Sequence, residues 1–266
     1  MNIDFGAISE IARKGIRRAA VFLGLGINAA ESPGLRNYSL AHHSSYQFVP
    51  QEVDDATIDT WKEEFRSWIV TSGLRELIET FAVFLDKIQE ACLVIALSKS
   101  RVSGKQAEGD ARSFQHKGIR DKLFVLASEF AIAPYHPDAL TTINQARNCL
   151  AHRRGIVGSQ DCNDGDALTI RWWSIEIYFE TPQGEKTLID MPVTTPVEGP
   201  TGAGVKVGST ERVRTFSKGA VVKFTPKELH EICWFLYFST DQIRDSAAKY
   251  AEKLGIPKAP TKENSA

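Results

Sequence analysis

A chain of 266 residues with 42% hydrophobic and 24% charged side chains has the make-up of an ordinary globular protein, long enough for one large domain or two small ones. Its net charge of −1 excludes any general attraction to nucleic acid, so RNA contact would need a local basic patch. Cys92, Cys149, Cys162 and Cys233 lie far apart with no Cys-x-x-Cys pair, which argues against a zinc site and for reduced thiols in a cytoplasmic protein.

The first predicted element is an amphipathic helix over about residues 5 to 25, with Ile8, Ile11, Ile16, Ala19 and Phe22 near one side. Arg13 to Arg18 followed by the mildly apolar Ala19 to Ala30 has the outline of a signal peptide, but Asp4, Glu10, Gly24, Gly26 and Asn28 break it. No run of about 20 apolar residues is present, so no membrane span is expected. Glu31 to Gln51 reads as loop, with a turn signal at Ser32-Pro33-Gly34. The adjacent His42 and His43 are poorly spaced to share one metal ion.

Asp54 or Asp55 caps a helix carrying Ile58, Trp61, Phe65, Trp68 and Ile69 at helical spacing. Ser72-Gly73 is a candidate break. A second apolar stripe then runs from Leu74 through Leu77, Ile78, Phe81, Phe84, Leu85, Ile88 and Cys92 to Ile95. Glu76, Glu79, Asp86 and Glu90 fall opposite it, either as a solvated acidic face or as a source of one carboxylate for a neighbouring helix. Ser100 to Phe114 reads as a polar loop and Gln115 to Phe130 as a helix.

Pro137-Asp138 opens the next helix in the first-turn positions that suit proline and an acid. Leu140, Ile143, Leu150 and Ala151 fall within about 100° of one another, and Arg147 falls inside that stripe. An arginine there is unusual, because Arg is seldom buried unpaired. His152 follows, then Arg153, Arg154 and Gly155 as the expected stop.

Beyond Gly155 the periodicity changes. Ser159 to Asp166 is a loop whose acids lack the calcium-binding pattern. Leu168 to Glu180 alternates as a strand, with Trp173, Ile175, Ile177 and Phe179 on one face, and Lys186 to Asp190 forms a short return strand. Met191 to Gly208 reads as a flexible loop, its Gly199 to Gly204 run lacking the Gly-Lys-Ser/Thr ending of a phosphate loop. Glu211 to Thr225 is expected to form a basic hairpin turning at Ser217-Lys218-Gly219. Thr225-Pro226-Lys227-Glu228 starts a closing helix to Leu254, and residues 259–266 form a polar tail. The expected fold is α+β: a helical core from about 54–155 and 226–254, with a β-rich insertion at about 159–225, in one domain covering 1–258.

The segment Arg147-Asn148-Cys149-Leu150-Ala151-His152 resembles the signature of the HEPN superfamily, an arginine, often a polar residue next, and a histidine four to six residues along. The resemblance covers the motif and the helices around it, not the β-rich stretch. It implies a HEPN-like helical bundle and a metal-independent endoribonuclease, of the kind found in bacterial toxins and anti-phage effectors. It also implies RNA as substrate, a homodimer through the motif helix, and an antitoxin or activating partner protein. The family includes inactive members, so the alternative is a non-catalytic HEPN scaffold that binds nucleotide or a partner protein.

The residue types suit the chemistry. Attack of an RNA 2′-OH on the adjacent phosphate needs a proton carrier near neutral pH and a cation for the crowded phosphorane. His152 fits the first role. Arg147 fits the second. Asn148, one helical turn before His152, can orient His152 or the substrate, and Arg153 and Arg154 can add phosphate contacts or simply favour the helix C-terminus. No cofactor or metal is expected. Arg147 and His152 lie about 140° apart on an ideal helix. They cooperate only if the helix unwinds near Leu150-Ala151, if Arg147 reaches round, or if two copies combine. A ligand-binding β-subdomain built on Trp172-Trp173 is a third reading.

Overall fold

The long apolar stripe through Leu74, Phe81 and Ile88 becomes the axis of the molecule. In the computed structural model, which describes residues 3–33, 52–189 and 198–256, it lies on α2 (Asp55–Ser98), a continuous helix of 44 residues capped by the Asp54 carboxylate. Leu74, Leu77, Ile78, Phe81, Phe84, Leu85 and Ile88 are all fully buried. Each such side chain contributes about 1.5–3 kcal/mol by leaving water. Around α2 stand α1 (Phe5–Glu31), α3 (Gly104–Gln115), α4 (Ile119–Phe130), α5 (Pro137–Arg153) and α6 (Pro226–Lys253).

Ser72-Gly73 does not break α2. A Cβ on Gly73 would stand 2.5 Å from Leu23 of α1, and one on Gly15 would stand 2.3 Å from Thr80. These glycines permit close helix contact, which decides their place more than helix propensity does. The same packing turns α1 slightly from its expected face. Leu23 and Ile27 are buried, whereas Phe22 is exposed. Gly24 and Gly26 lie inside α1, which continues to Glu31.

Ser100 to Phe114, expected as loop, contains α3. Ser103 caps it, and Ala107, Ala111 and Phe114, at one-turn spacing, lie against the core. Small alanines made that apolar face faint in the sequence. α4 begins at Ile119, after Gly118. α6 begins as expected: the Thr225 hydroxyl accepts from the Glu228 N–H at 3.2 Å, and the Glu228 carboxylate accepts from the Thr225 N–H at 2.7 Å.

Between α5 and α6 lies a three-stranded antiparallel sheet of order β2-β1-β3, formed by β1 (Ala167–Glu180), β2 (Lys186–Leu188) and β3 (Gly204–Ser217). β1 pairs with β3 from Ala167↔Ser217 to Glu180↔Gly204, and with β2 only from Tyr178 to Glu180. The hairpin expected over Glu211 to Thr225 is therefore corrected. Ser217-Lys218-Gly219 ends β3, whose partner is the distant β1, and Val221 makes only an isolated bridge to Ile156. Leu168, Ile170 and Trp172 enter the core from one face of β1, while on the face shared by Trp173, Ile175, Ile177 and Phe179 only Phe179 is buried, Trp173 and Ile177 are half-buried and Ile175 is exposed. Trp172 decides the face, because its ring packs beside Phe224 and its Nε1–H donates to buried Glu231 at 2.9 Å. Toward α5, the edge of β1 is closed by the Thr142 hydroxyl, which accepts from the Arg171 N–H at 2.9 Å. One apolar core includes residues of α1, α2, α4, α5, β1 and α6. Among the described residues no helix is long and apolar enough to cross a membrane. His42, His43 and the tail from Lys258 lie outside the described residues.

Candidate active site

Pro137 and Asp138 start α5, and Leu140, Ile143, Ala146, Cys149 and Leu150 bury one side of it. The helix ends one residue earlier than its glycine suggests. Arg154 itself takes a left-handed conformation at φ 53°, followed by Gly155 at φ 79°. The Gly155 N–H donates to the Cys149 carbonyl at 3.2 Å, closing the last turn.

Arg147 stands at the edge of the buried face, half-buried where α5 meets α2. Its Nη1 donates to the Asn148 side-chain carbonyl at 2.9 Å. Its Nε is buried with no hydrogen-bond partner, and so is the Asn144 side-chain oxygen one turn earlier. Among the described residues no carboxylate lies within ion-pairing distance of Arg147. Charges of Glu79 and Arg75 of α2, which pair with each other at 2.7 Å, act on it. Burial lowers the Arg147 pKa, Glu79 opposes that shift and Arg75 adds to it. A cation partly stripped of water without a counter-ion is costly.

Asn148, half-buried, spends its side-chain carbonyl oxygen on Arg147. His152 is exposed one turn further on. α5 stays helical through Arg153, so the unwinding near Leu150-Ala151 that would join Arg147 and His152 does not occur, and Ala151 is exposed rather than core-facing.

Arg153 is not available as the expected phosphate contact. It pairs with Asp161, which is 2% exposed and also accepts from the Gly158 N–H at 2.9 Å. Burial alone would raise the Asp161 pKa, but Arg153 and the Gly158 N–H outweigh it and hold the carboxyl below its ordinary value. Arg153 thus fastens the turn after the motif helix. Arg154 is exposed, with no partner among the described residues. The two arginines of β3 are likewise neutralised: Arg212 meets Glu176 at 3.1 Å and Glu231 at 3.6 Å, and Arg214 meets Glu228 at 2.5 Å. Cys149 lies beneath the motif, and burial, with Asp161 nearby, pushes its thiol up to about 11. It serves as packing, not as a nucleophile.

The structure therefore brings Arg147 and Asn148 together, leaves His152 on an adjoining exposed face, and removes Arg153. Arg75 was not singled out in the sequence, and Glu79 was one acid among several. Their four-residue spacing was the available signal, but only the α2–α5 contact selects them. Compared with protein-family profiles, curated proteins and solved structures, the chain finds no match.

Proposed function

We propose that this chain is a metal-independent endoribonuclease of HEPN type, a cytoplasmic toxin or anti-phage effector that cuts RNA through attack of its own 2′-OH. The observation that carries the reading is Arg147: a half-buried guanidinium with an unsatisfied Nε, no carboxylate within ion-pairing distance among the described residues, and Asn148 fixing one of its nitrogens. An arginine kept for stability would bring a counter-ion. Arg147 instead keeps the open end of its guanidinium fork, Nη2, for a charge-assisted contact with a phosphate, beside the Nη1 that Asn148 holds. Asn148 positions that fork. His152, open to solvent, exchanges the proton, and Arg154 is the remaining cation for a flanking phosphate. The products of this chemistry are a 2′,3′-cyclic phosphate and a 5′-OH.

Because Arg147 and His152 project about 140° apart from an unbroken helix, the reading includes a homodimer in which two motifs share one RNA. The same angle favours the second reading, a HEPN scaffold that binds nucleotide or a partner protein such as an antitoxin without cutting RNA. Incubating wild type, Arg147→Ala and His152→Ala with total RNA in EDTA separates the two. Cleavage by wild type alone is expected. Cleavage by all three, or nucleotide binding without cleavage by folded wild type, rejects the enzyme.

A further inference from the structure

The outer faces of α1 and α2 carry a concentration of exposed apolar side chains. Val21 is 56% exposed, Phe22 58%, Leu25 65%, Phe65 36% and Trp68 62%. The Arg18–Glu76 ion pair fixes how the two antiparallel helices lie against each other. Phe22 and Leu25 are four and seven residues beyond Arg18, hence on its face of α1. Trp68 and Phe65 are eight and eleven residues before Glu76, hence on its face of α2. A Cβ on Gly26 would meet Ile69 at 2.6 Å, which sets that part of α1 directly beside the Phe65–Trp68 turn. Phe65 and Trp68 stack with ring centres 6.3 Å apart. The five side chains form one ridge-and-groove surface, with no partner element covering it among the described residues.

We infer that this α1–α2 face is the interface between two copies of the chain. Two arguments select a second copy. The charges around the patch balance: Arg18 pairs with Glu76, Arg75 with Glu79 at 2.7 Å and Arg66 with Glu31 at 2.9 Å, and Lys62, held by the Ser32 carbonyl at 2.6 Å, is offset by exposed Glu64. A balanced rim offers no excess charge to RNA or to an acidic lipid surface, and it is self-complementary under a two-fold axis. The patch also exposes on the order of 500 Å² of apolar surface per chain, more than half of the roughly 800 Å² that each partner of a standard interface buries. Trp68, Arg75 and Glu79 stand seven and eleven residues apart on one side of α2. The interface therefore adjoins the α2 residues that act on Arg147, and it differs from a dimer made through α5 itself. The link to the candidate site rests on the ribonuclease reading; the interface does not.

Sedimentation velocity of the nuclease-treated 266-residue chain tests the inference. Wild type is expected at twice the 29.5 kDa chain mass at about 10 µM, and still so at 1 M salt, because the contact is apolar. Leu25→Glu and Trp68→Glu point into solvent in the isolated chain, so both are expected to keep wild-type circular dichroism while weakening association at least 100-fold. Phe124→Glu, at an exposed α4 position, serves as the control and stays dimeric. A monomeric wild type, or a folded Trp68→Glu protein that still dimerises with wild-type affinity, overturns the inference. A dimer that cleaves no RNA overturns only the ribonuclease reading.

Discussion

Helix α2 half-encloses a cation on each of two sides and treats them oppositely. Toward α4, Lys122 is 2% exposed, bonded to Asp86 and placed 5.3 Å from the Phe114 ring centre. Toward α5, Arg147 is half-buried, with no carboxylate within reach among the described residues and a buried Nε left without a partner. The first contact is what a structural cation looks like: the cost of dehydration is met by a counter-ion and an aromatic face. The second leaves that cost standing. The missing counter-ion separates Arg147 from Lys122 and from Arg153; the unpartnered Nε does not, because ion-paired Arg13 shares it.

The largest effect expected from this contrast is on RNA cleavage. Arg147→Ala or His152→Ala should lower the rate at least about 100-fold, while Arg147→Met should leave folding stability within about 1 kcal/mol of wild type. A large loss of stability on Arg147→Met would place Arg147 in the structural class and break the contrast. The reverse is expected of Lys122→Ala, which strands Asp86 and should cost about 3 kcal/mol in urea unfolding. Burial already pushes the Asp86 carboxyl up even with Lys122 beside it.

A smaller effect belongs to the Arg153–Asp161 pair. Asp161→Asn should cost about 2 kcal/mol, less than a fully buried pair because Arg153 is partly solvated. The pH dependence follows from the direction of the shift. The folded carboxyl lies below its ordinary 3.8, so the unfolded chain takes up the proton first as pH falls. The stabilisation is complete above that ordinary value and drains away as pH drops through the folded one. Wild type should therefore lose stability more steeply than Asp161→Asn in acid unfolding below about pH 4. Equal slopes would remove Asp161 from the pairing. The smallest effect is expected at exposed Glu79. Glu79→Gln releases Arg75 and removes a negative charge near Arg147, so RNA binding should tighten by up to about five-fold at low salt. Unchanged binding would show that α2 does not take part in holding the substrate.

Several elements were plain from residue spacing alone. Proline and acid at the start of α5, the Thr225 capping box of α6, and the stripe from Leu74 to Ile95 are local signals, carried by neighbours within one or two turns. α3 was hidden because Ala107 and Ala111 are small and its remaining face is polar. The Ser72-Gly73 break was misread because glycine is both a helix breaker and the smallest surface for a neighbour, and only Leu23 of α1 distinguishes the two. β3 was misassigned because its partner lies some forty residues upstream, across a turn-rich stretch. At the candidate site, Arg147, Asn148 and His152 were legible, while the engagement of Arg153 by Asp161 was not.

The sequence by itself determined the α+β order and the position of the motif at a helix end, because helix periodicity, caps and strand alternation are written in adjacent residues. The tertiary structure alone decided which charges are satisfied. Asp161 reaches Arg153, Glu231 and Glu228 reach the arginines of β3, and among the described residues no carboxylate reaches Arg147. The physical reason is that ion pairing depends on approach within a few ångströms across separate elements, a distance that no spacing along the chain specifies.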